Sequence, residues 1–312
     1  MFDISANQVH QLLDYPQLIQ TLRKGFCEEY SVPQRHHHDF PNPTVGKDST
    51  LLLMPAWQVG HYLGVKLVMV SPENSRYDLP SIQGMYFLFD AHKGTSLAQI
   101  EAKALTSRRT AAASALAADY LARPDSRRLL IVGTGALSTQ IAHAYAAIRP
   151  IEEILIWGRN PQKAHQVMEI LQKDFSTVRT VTALQNAVPQ ADIISCVTLS
   201  EQALIKGTWL MPGQHIDLIG SYKPNMREAD DEVIRRAELF VDTPSAMKES
   251  GDLFIPLQSG LIQAKDIEAD LFDLCRQKHP GRTEANSITL FKSVGYALED
   301  LVAAVMVYEK LR

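Results

Sequence analysis

Near the start of the chain, Leu12, Leu13, Leu18, Ile19, Leu22 and Phe26 recur at roughly helical spacing, and acidic residues close the segment. This pattern predicts a helix over residues 7–30. Three apolar runs follow, "STLLLMPAW", "YLGVKLVMVSP" and "SIQGMYFLFDAHKGTSLAQIEA", broken by Gly, Pro and Asp. They read as strands. The "DAHKGT" break reads as a hairpin turn in which Gly94 supplies a positive φ. The character changes near residue 105, where "LTSRRTAAASALAADYLA" is rich in alanine, carries no breaker and reads as helix.

From residue 128 onward strands and helices alternate. "RRLLIVGTG" is strand and turn, "ALSTQIAHAYAAI" helix, "EEILIWG" strand and "PQKAHQVMEILQKDF" helix. Pro161 falls at a first-turn position, where its missing N–H is harmless. "TVRTV", "ADIISCVT", "QHIDLIG" and "ELFVD" are further strands. Such alternation predicts a parallel sheet flanked by helices. The end, "ITLFKSVGYALEDLVAAVMVYEKL", reads as a short strand and a long amphipathic helix outside the alternation.

Composition narrows the class. The 312 residues correspond to about two domains. A hydrophobic share of 46% and a charged share of 21% fit a soluble globular protein. The net charge of −4 gives no global basic field for nucleic acid. No run of about 18 apolar residues predicts a membrane span. "MFDISANQVHQLLDYPQL" lacks the basic start and apolar run of a signal peptide. Cys27, Cys196 and Cys275 form no evident disulfide framework, so a reducing cytoplasm is expected.

"LLIVGTGALSTQIAHAY" places Gly133 and Gly135 directly after an apolar strand and before a helix. Gly135 allows backbone to approach a pyrophosphate. The helix start, with Ala136, Leu137 and Ser138, favours an anion. Ser138 replaces the third glycine of G-x-G-x-x-G. At the tip of the next strand a ribose-binding acid is expected, but Gly158, Arg159 and Asn160 stand there. A carboxylate at 158 would repel a 2′-phosphate, whereas a guanidinium matches its geometry. The reading is a preference for NADP(H), with NAD(H) as the alternative.

Several segments converge in order: "LTSRRTAAASALAADYLA", "IVGTGALSTQ", "IWGRNP", "MPGQHIDLIGSYKPNMREAD", "ESGDL" and "ITLFKSVGYALEDL". Together they resemble the ornithine cyclodeaminase/mu-crystallin family over nearly the whole chain. The resemblance implies an α/β fold in which a central Rossmann-type, doubly wound parallel sheet is inserted in an N-terminal α+β substrate and dimerisation domain. The C-terminal helix completes that domain. Residues 1–115 with 290–312 would form it, and residues 116–289 the dinucleotide-binding domain. It also implies a homodimer acting on a small α-amino or α-imino acid with a nicotinamide cofactor.

Arg35, Lys66 and Arg109 match the family's three basic residues at the substrate end. Lys66 interrupts an apolar strand, where an unpaired ammonium is costly, so it requires a partner. A substrate carboxylate is one candidate. Arg109 could also touch cofactor. By the same resemblance Glu249 lies beside the substrate pocket, and Ser81, Thr198, Ile219 and Ser221 lie along the nicotinamide half. "RHHHD" lacks metal-ligand spacing and reads as loop or edge, with no metal site expected. Cys196 reads as a small buried residue rather than a nucleophile.

In the family's cyclising deaminases and alanine dehydrogenases an aspartate follows the Gly-x pair and acts as general acid/base. Here Tyr222 stands there, after Gly220 and Ser221. A phenol with an ordinary pKa of about 10 is a poor base but a good hydrogen-bond donor. The departure points to NAD(P)H-dependent reduction of a cyclic or α-imino acid, with Lys66, Tyr222 or a bound water supplying the proton. The alternatives are an ornithine cyclodeaminase using bound NAD and a non-catalytic, NADPH-dependent ligand-binding protein.

Overall fold

The computed structural model describes residues 1–312, apart from the side chain of Ser75. The chain divides into two compact units, residues 1–110 with 296–312 and residues 111–295.

Unit 1 is built on β1 (Phe2–Ile4), α1 (Ala6–Leu12), α2 (Tyr15–Cys27), β2 (His36–Phe40), β3 (Ser49–Trp57), β4 (Tyr62–Val70), β5 (Ile82–Asp90) and β6 (Ser96–Glu101). Its sheet runs β1-β6-β5-β4-β3-β2, antiparallel except for the parallel β1–β6 pair. Gly94 turns the β5–β6 hairpin with φ +69°. The single helix expected over residues 7–30 is two helices. Asp14 breaks it by capping α2, its carboxylate accepting from Gln17 N–H, with Pro16 in the first turn. The next helix, α3 (Ala102–Leu121), contains the boundary between the units.

Unit 2 contains β7 (Arg128–Val132), α4 (Ala136–Ala146), β8 (Glu153–Trp157), α5 (Pro161–Leu171), β9 (Val178–Thr180), α6 (Leu184–Ala187), β10 (Ile193–Cys196) and β11 (His215–Leu218). It continues with α7 (Asp231–Arg236), β12 (Ala237–Val241), α8 (Ala246–Glu249), α9 (Gly251–Gln258), β13 (Ile267–Asp270), α10 (Leu271–Cys275) and β14 (Ile288–Lys292). Its eight strands run β13-β12-β14-β11-β10-β7-β8-β9, every pair parallel. Strand order reverses between β7 and β10, which marks a ligand crevice at their carboxyl ends. Leu130, Val132, Ile194, Ile216, Leu218 and Leu290 lie in the buried core around the sheet.

The last helix, α11 (Ala297–Leu311), belongs to unit 1 and packs on β3, β4, β5 and α2. It is not amphipathic as expected. Residues 297–304 are all buried, because sheet and helix enclose it from several sides. A methyl at Gly25 of α2 would come within 2.7 Å of Val302, so that helix pair depends on glycine for its close approach. Among the described residues, no helix is long and apolar enough to cross a membrane.

Candidate functional site

In unit 2 the turn between β7 and α4 separates two uses of glycine. Gly133 has φ +134°, and a Cβ there would meet Val197 Cγ2 at 2.8 Å and its carbonyl oxygen at 3.0 Å. The chain itself demands glycine. Gly135, the N-cap of α4, has φ −83°, makes no side-chain cap, and a Cβ there would meet nothing within 4 Å. Its missing side chain leaves open space over Ala136 and Leu137, at the positive end of the helix. The residues present fit a dinucleotide pyrophosphate. Ser138 works from inside: its buried hydroxyl donates to Gly133 O at 3.0 Å.

At the end of β8, a Cβ on Gly158 would lie 2.4 Å from Thr134 Cγ2, so an acid has no room there while Thr134 keeps its place. Arg159 is exposed. The Asn160 side-chain oxygen Oδ1 caps α5, accepting from Gln162 and Lys163 N–H, which leaves the side-chain N–H groups to donate elsewhere.

The ends of β10 and β11 are joined by a residue that sequence reading missed. Glu228 is fully buried and accepts from Thr198 N–H (2.7 Å), Thr198 Oγ1 (2.8 Å), Gly220 N–H (2.8 Å) and Ser221 N–H (3.3 Å). Burial pushes its carboxyl up; the Lys292 ammonium opposes this and the Asp252 carboxylate adds to it. Lys292, also fully buried, lies 3.4 Å from Asp252. A Cβ at Gly220 would strike Thr198 O at 1.9 Å, so the two loops touch through backbone. Thr198, Ile219 and Ser221 are therefore brought together at the crevice edge. Ser221 Oγ pairs with Ser250 Oγ at 2.7 Å, next to Glu249 at the end of α8. Tyr222 is half-buried, with Lys223 Nζ 5.7 Å from its ring centroid. Asp217 is buried within β11, bonded by Tyr145 and Ser195 hydroxyls. Cys196 is buried, and burial pushes its thiol well up, which keeps it protonated.

Unit 1 collects cations. Lys66 and Arg109 are 2% and 4% exposed. Lys66 Nζ lies 2.7 Å from Asp300 Oδ2 and 3.5 Å from Thr106 Oγ1. Arg109 Nε donates to Asp300 Oδ1 at 2.9 Å, and its Nη1 to Glu299 Oε2 at 2.5 Å. Burial pushes the Lys66 ammonium down to about 8. Asp300 holds it up, while the Arg109 and Arg35 charges press it further down. Burial favours a neutral Asp300, but Arg109 and Lys66 keep its carboxyl below the ordinary range. The partner demanded by Lys66 is thus a protein carboxylate. Glu299 and Asp300 were not anticipated, although two acids inside the apolar "ALEDLVAAV" call for buried cations by the same reasoning.

Arg35 is half-buried and close enough to act on Lys66, so the three predicted cations do gather. Ser81 is exposed, just before β5. The histidines form the edge strand β2, with His36 and His38 on one face, ring centroids 6.2 Å apart. Among the described residues, no three His, Cys, Asp or Glu are grouped to hold a metal.

Comparison with known proteins places these features. Residues 4–312 match the model of the ornithine cyclodeaminase/mu-crystallin family. The chain is 39% identical to a delta(1)-pyrroline-2-carboxylate reductase of Paracoccus denitrificans, covering 94% of this chain and 91% of that protein. It is similar to the structure of Thermococcus litoralis delta(1)-pyrroline-2-carboxylate reductase in complex with NADH and L-proline, with TM-score 0.92 and 32% identity over 99% of this chain and 97% of that one. It also resembles an archaeal alanine dehydrogenase dimer with bound NAD, with TM-score 0.90 and 25% identity over 99% and 95% of the two chains. With its parallel dinucleotide-type sheet, open α4 end and buried cation cluster, the chain belongs to the ornithine cyclodeaminase/mu-crystallin family.

Proposed function

We propose that this chain is an NAD(P)H-dependent reductase converting a cyclic or α-imino acid of the pyrroline-2-carboxylate kind into the amino acid. The observation that carries this reading is the buried Lys66 ammonium, bonded to Asp300 at 2.7 Å and pushed down to about 8 by burial, with the Arg109 and Arg35 charges adding to the push. Such a group is still largely protonated near neutral pH and gives up its proton readily. The nicotinamide cofactor supplies the hydride for the imine carbon. Arg35 and Arg109 anchor the substrate carboxylate. Lys66 gives a proton to the nitrogen as C=N becomes a single bond, and regains one from solvent. Tyr222 donates a hydrogen bond in place of an acid/base aspartate, and Glu249 lies beside the substrate. The named relatives act on the same class of molecule.

The test is a panel of pyrroline-2-carboxylate, piperideine-2-carboxylate, pyruvate with methylamine, and ornithine, followed by loss of NADPH or NADH absorbance. Cyclic imines are reduced, and ornithine is untouched. Ammonia and proline from ornithine without net cofactor change would overturn the reading in favour of a cyclodeaminase. Lys66→Met lowers kcat/KM by about 10²–10⁴-fold, the contribution of a positioned general acid.

NADP(H) is the preferred cofactor on the strength of Arg159, exposed beside a position where Thr134 excludes an acid. Arg159→Ala lowers kcat/KM for NADPH by about 10–100-fold, as loss of a charge-assisted hydrogen bond does, and leaves NADH nearly unchanged. Equal loss with both cofactors, or native preference for NADH, contradicts the assignment.

The protein is a homodimer in this reading, joined through the half-exposed face of the unit 1 sheet.

A further inference from the structure

Lys66 and Arg109 come from β4 and α3, yet one carboxylate from the far end of the chain touches both. Asp300 offers Oδ2 to Lys66 and Oδ1 to Arg109, and every member of the cluster is 5% exposed or less. Glu299, the preceding residue, bonds Arg109 through Oε2. Both acids lie in the first turn of α11, where the helix dipole also favours negative charge. The division leaves donors to spare. Asp300 takes one of the three Lys66 N–H bonds, and the Thr106 hydroxyl, at 3.5 Å, is at the limit for a second. Arg109 Nη2 has no partner among the described residues.

We propose that Asp300 is the positioning residue of the imine-reducing site. Its two oxygens set the separation of the Lys66 ammonium and the Arg109 guanidinium, keep Lys66 protonated, and turn the remaining donors of both toward substrate. The proposal rests on the reductase reading. A neutral side chain at 300 would leave Lys66 facing Arg109 and Arg35 with no carboxylate bonded to it. The other groups around it do not replace that charge. Tyr86, opposite Lys66 on β5, is a buried phenol without a hydrogen-bond partner among the described residues. Met54, opposite on β3, is apolar, and Thr106 on α3 is neutral. Glu299 Oε2 accepts from Arg109, not from Lys66.

The test compares Asp300→Asn with the native chain in two measurements. The first is the pH profile of kcat for pyrroline-2-carboxylate reduction by NADPH. The alkaline limb, where Lys66 loses its proton, moves to lower pH by at least about one unit in the variant, as expected for losing an adjacent opposite charge. Activity returns on acidification, and the Kd for NADPH is unchanged. The second is the ¹⁵Nζ titration of Lys66 by NMR in the whole chain without substrate, which shifts the same way. An unmoved Lys66 titration overturns the proposal whether or not the imine is a substrate. A native chain that ignores imino acids refutes the reductase reading alone, and the titration still decides what Asp300 does. Should Asp300→Asn fail to fold, Asp300→Glu decides: the charge remains, so the limb stays, but kcat falls at least about tenfold because a misplaced catalytic group loses rate steeply. Unchanged kcat in Asp300→Glu refutes the positioning role.

Discussion

Burial pushes two ionisable residues toward their neutral forms, one beside a charged partner and one beside neutral ones. Lys66 is held in its charged form by a carboxylate, whereas Asp217 receives only neutral hydroxyls, Tyr145 at 2.7 Å and Ser195 at 3.1 Å. Burial therefore pushes Asp217 up to about 6. The folded state binds this proton more tightly than the unfolded state, whose pKa is about 3.9. The favourable contribution is complete below about pH 4 and is lost as pH rises through about 6. A shift of about two units corresponds to about 3 kcal/mol. Asp217→Asn keeps an acceptor for both hydroxyls and removes the titration. It is expected to be more stable than the native chain by up to about 3 kcal/mol at pH 8 and equal to it near pH 4. Denaturant unfolding at the two pH values measures this, and an equal difference at both rules out Asp217 as the cause. The need of Lys66 for a partner was legible in sequence, because an ammonium in an apolar strand is conspicuous. Its partner was not, because Asp300 lies 234 residues away and only the tertiary fold brings it near.

At the scale of elements, the G-x-G turn was legible as a unit, but its two glycines looked alike until folded. Gly133 serves the chain, whereas the chain itself does not require glycine at 135, which suits the approach of the proposed ligand. Gly133→Ala forces a side chain into a positive-φ conformation against Val197, and destabilises by about 1–3 kcal/mol. Gly135→Ala has an ordinary backbone and empty space, so the unliganded protein keeps its Tm, while the NADPH Kd rises at least about tenfold because the methyl fills the approach to α4. Calorimetric unfolding and cofactor titration of both variants separate the roles. A Gly135→Ala protein that binds NADPH normally refutes the pyrophosphate assignment. Glu228 was hidden for a different reason. In "NMREADDE" it is one charge among many, and such a run reads as a solvated surface. Only pairing at the ends of β10 and β11 shows that its carboxylate holds two backbone loops.

For the whole molecule, the N-terminal strands carried an unread signal in their continuous apolar character. Leu51, Leu52, Leu53 and Met54 follow one another without polar alternation, so both faces of the sheet are apolar. Register sorts them. Met54, Ala56, Lys66, Tyr86 and Leu88 are buried on the face that receives Asp300, while Leu53, Val65, Leu67, Met85 and Phe87 on the other are half-exposed. A contiguous apolar face of this kind suits an interaction site, and in the proposed homodimer a second copy of the same chain would bring the same apolar chemistry to a two-fold contact. Phe87 sits directly opposite Val65 in the register, near the middle of the face. Phe87→Glu places a charge where a dimer would exclude water, but where the single chain leaves the side chain half in solvent. The native protein is therefore expected to sediment at twice the mass of one chain at micromolar concentration. Phe87→Glu is expected to sediment at the single mass, with its folded circular dichroism spectrum retained. A native protein that sediments as a single chain, or a variant that remains double, would show that this face is not the contact.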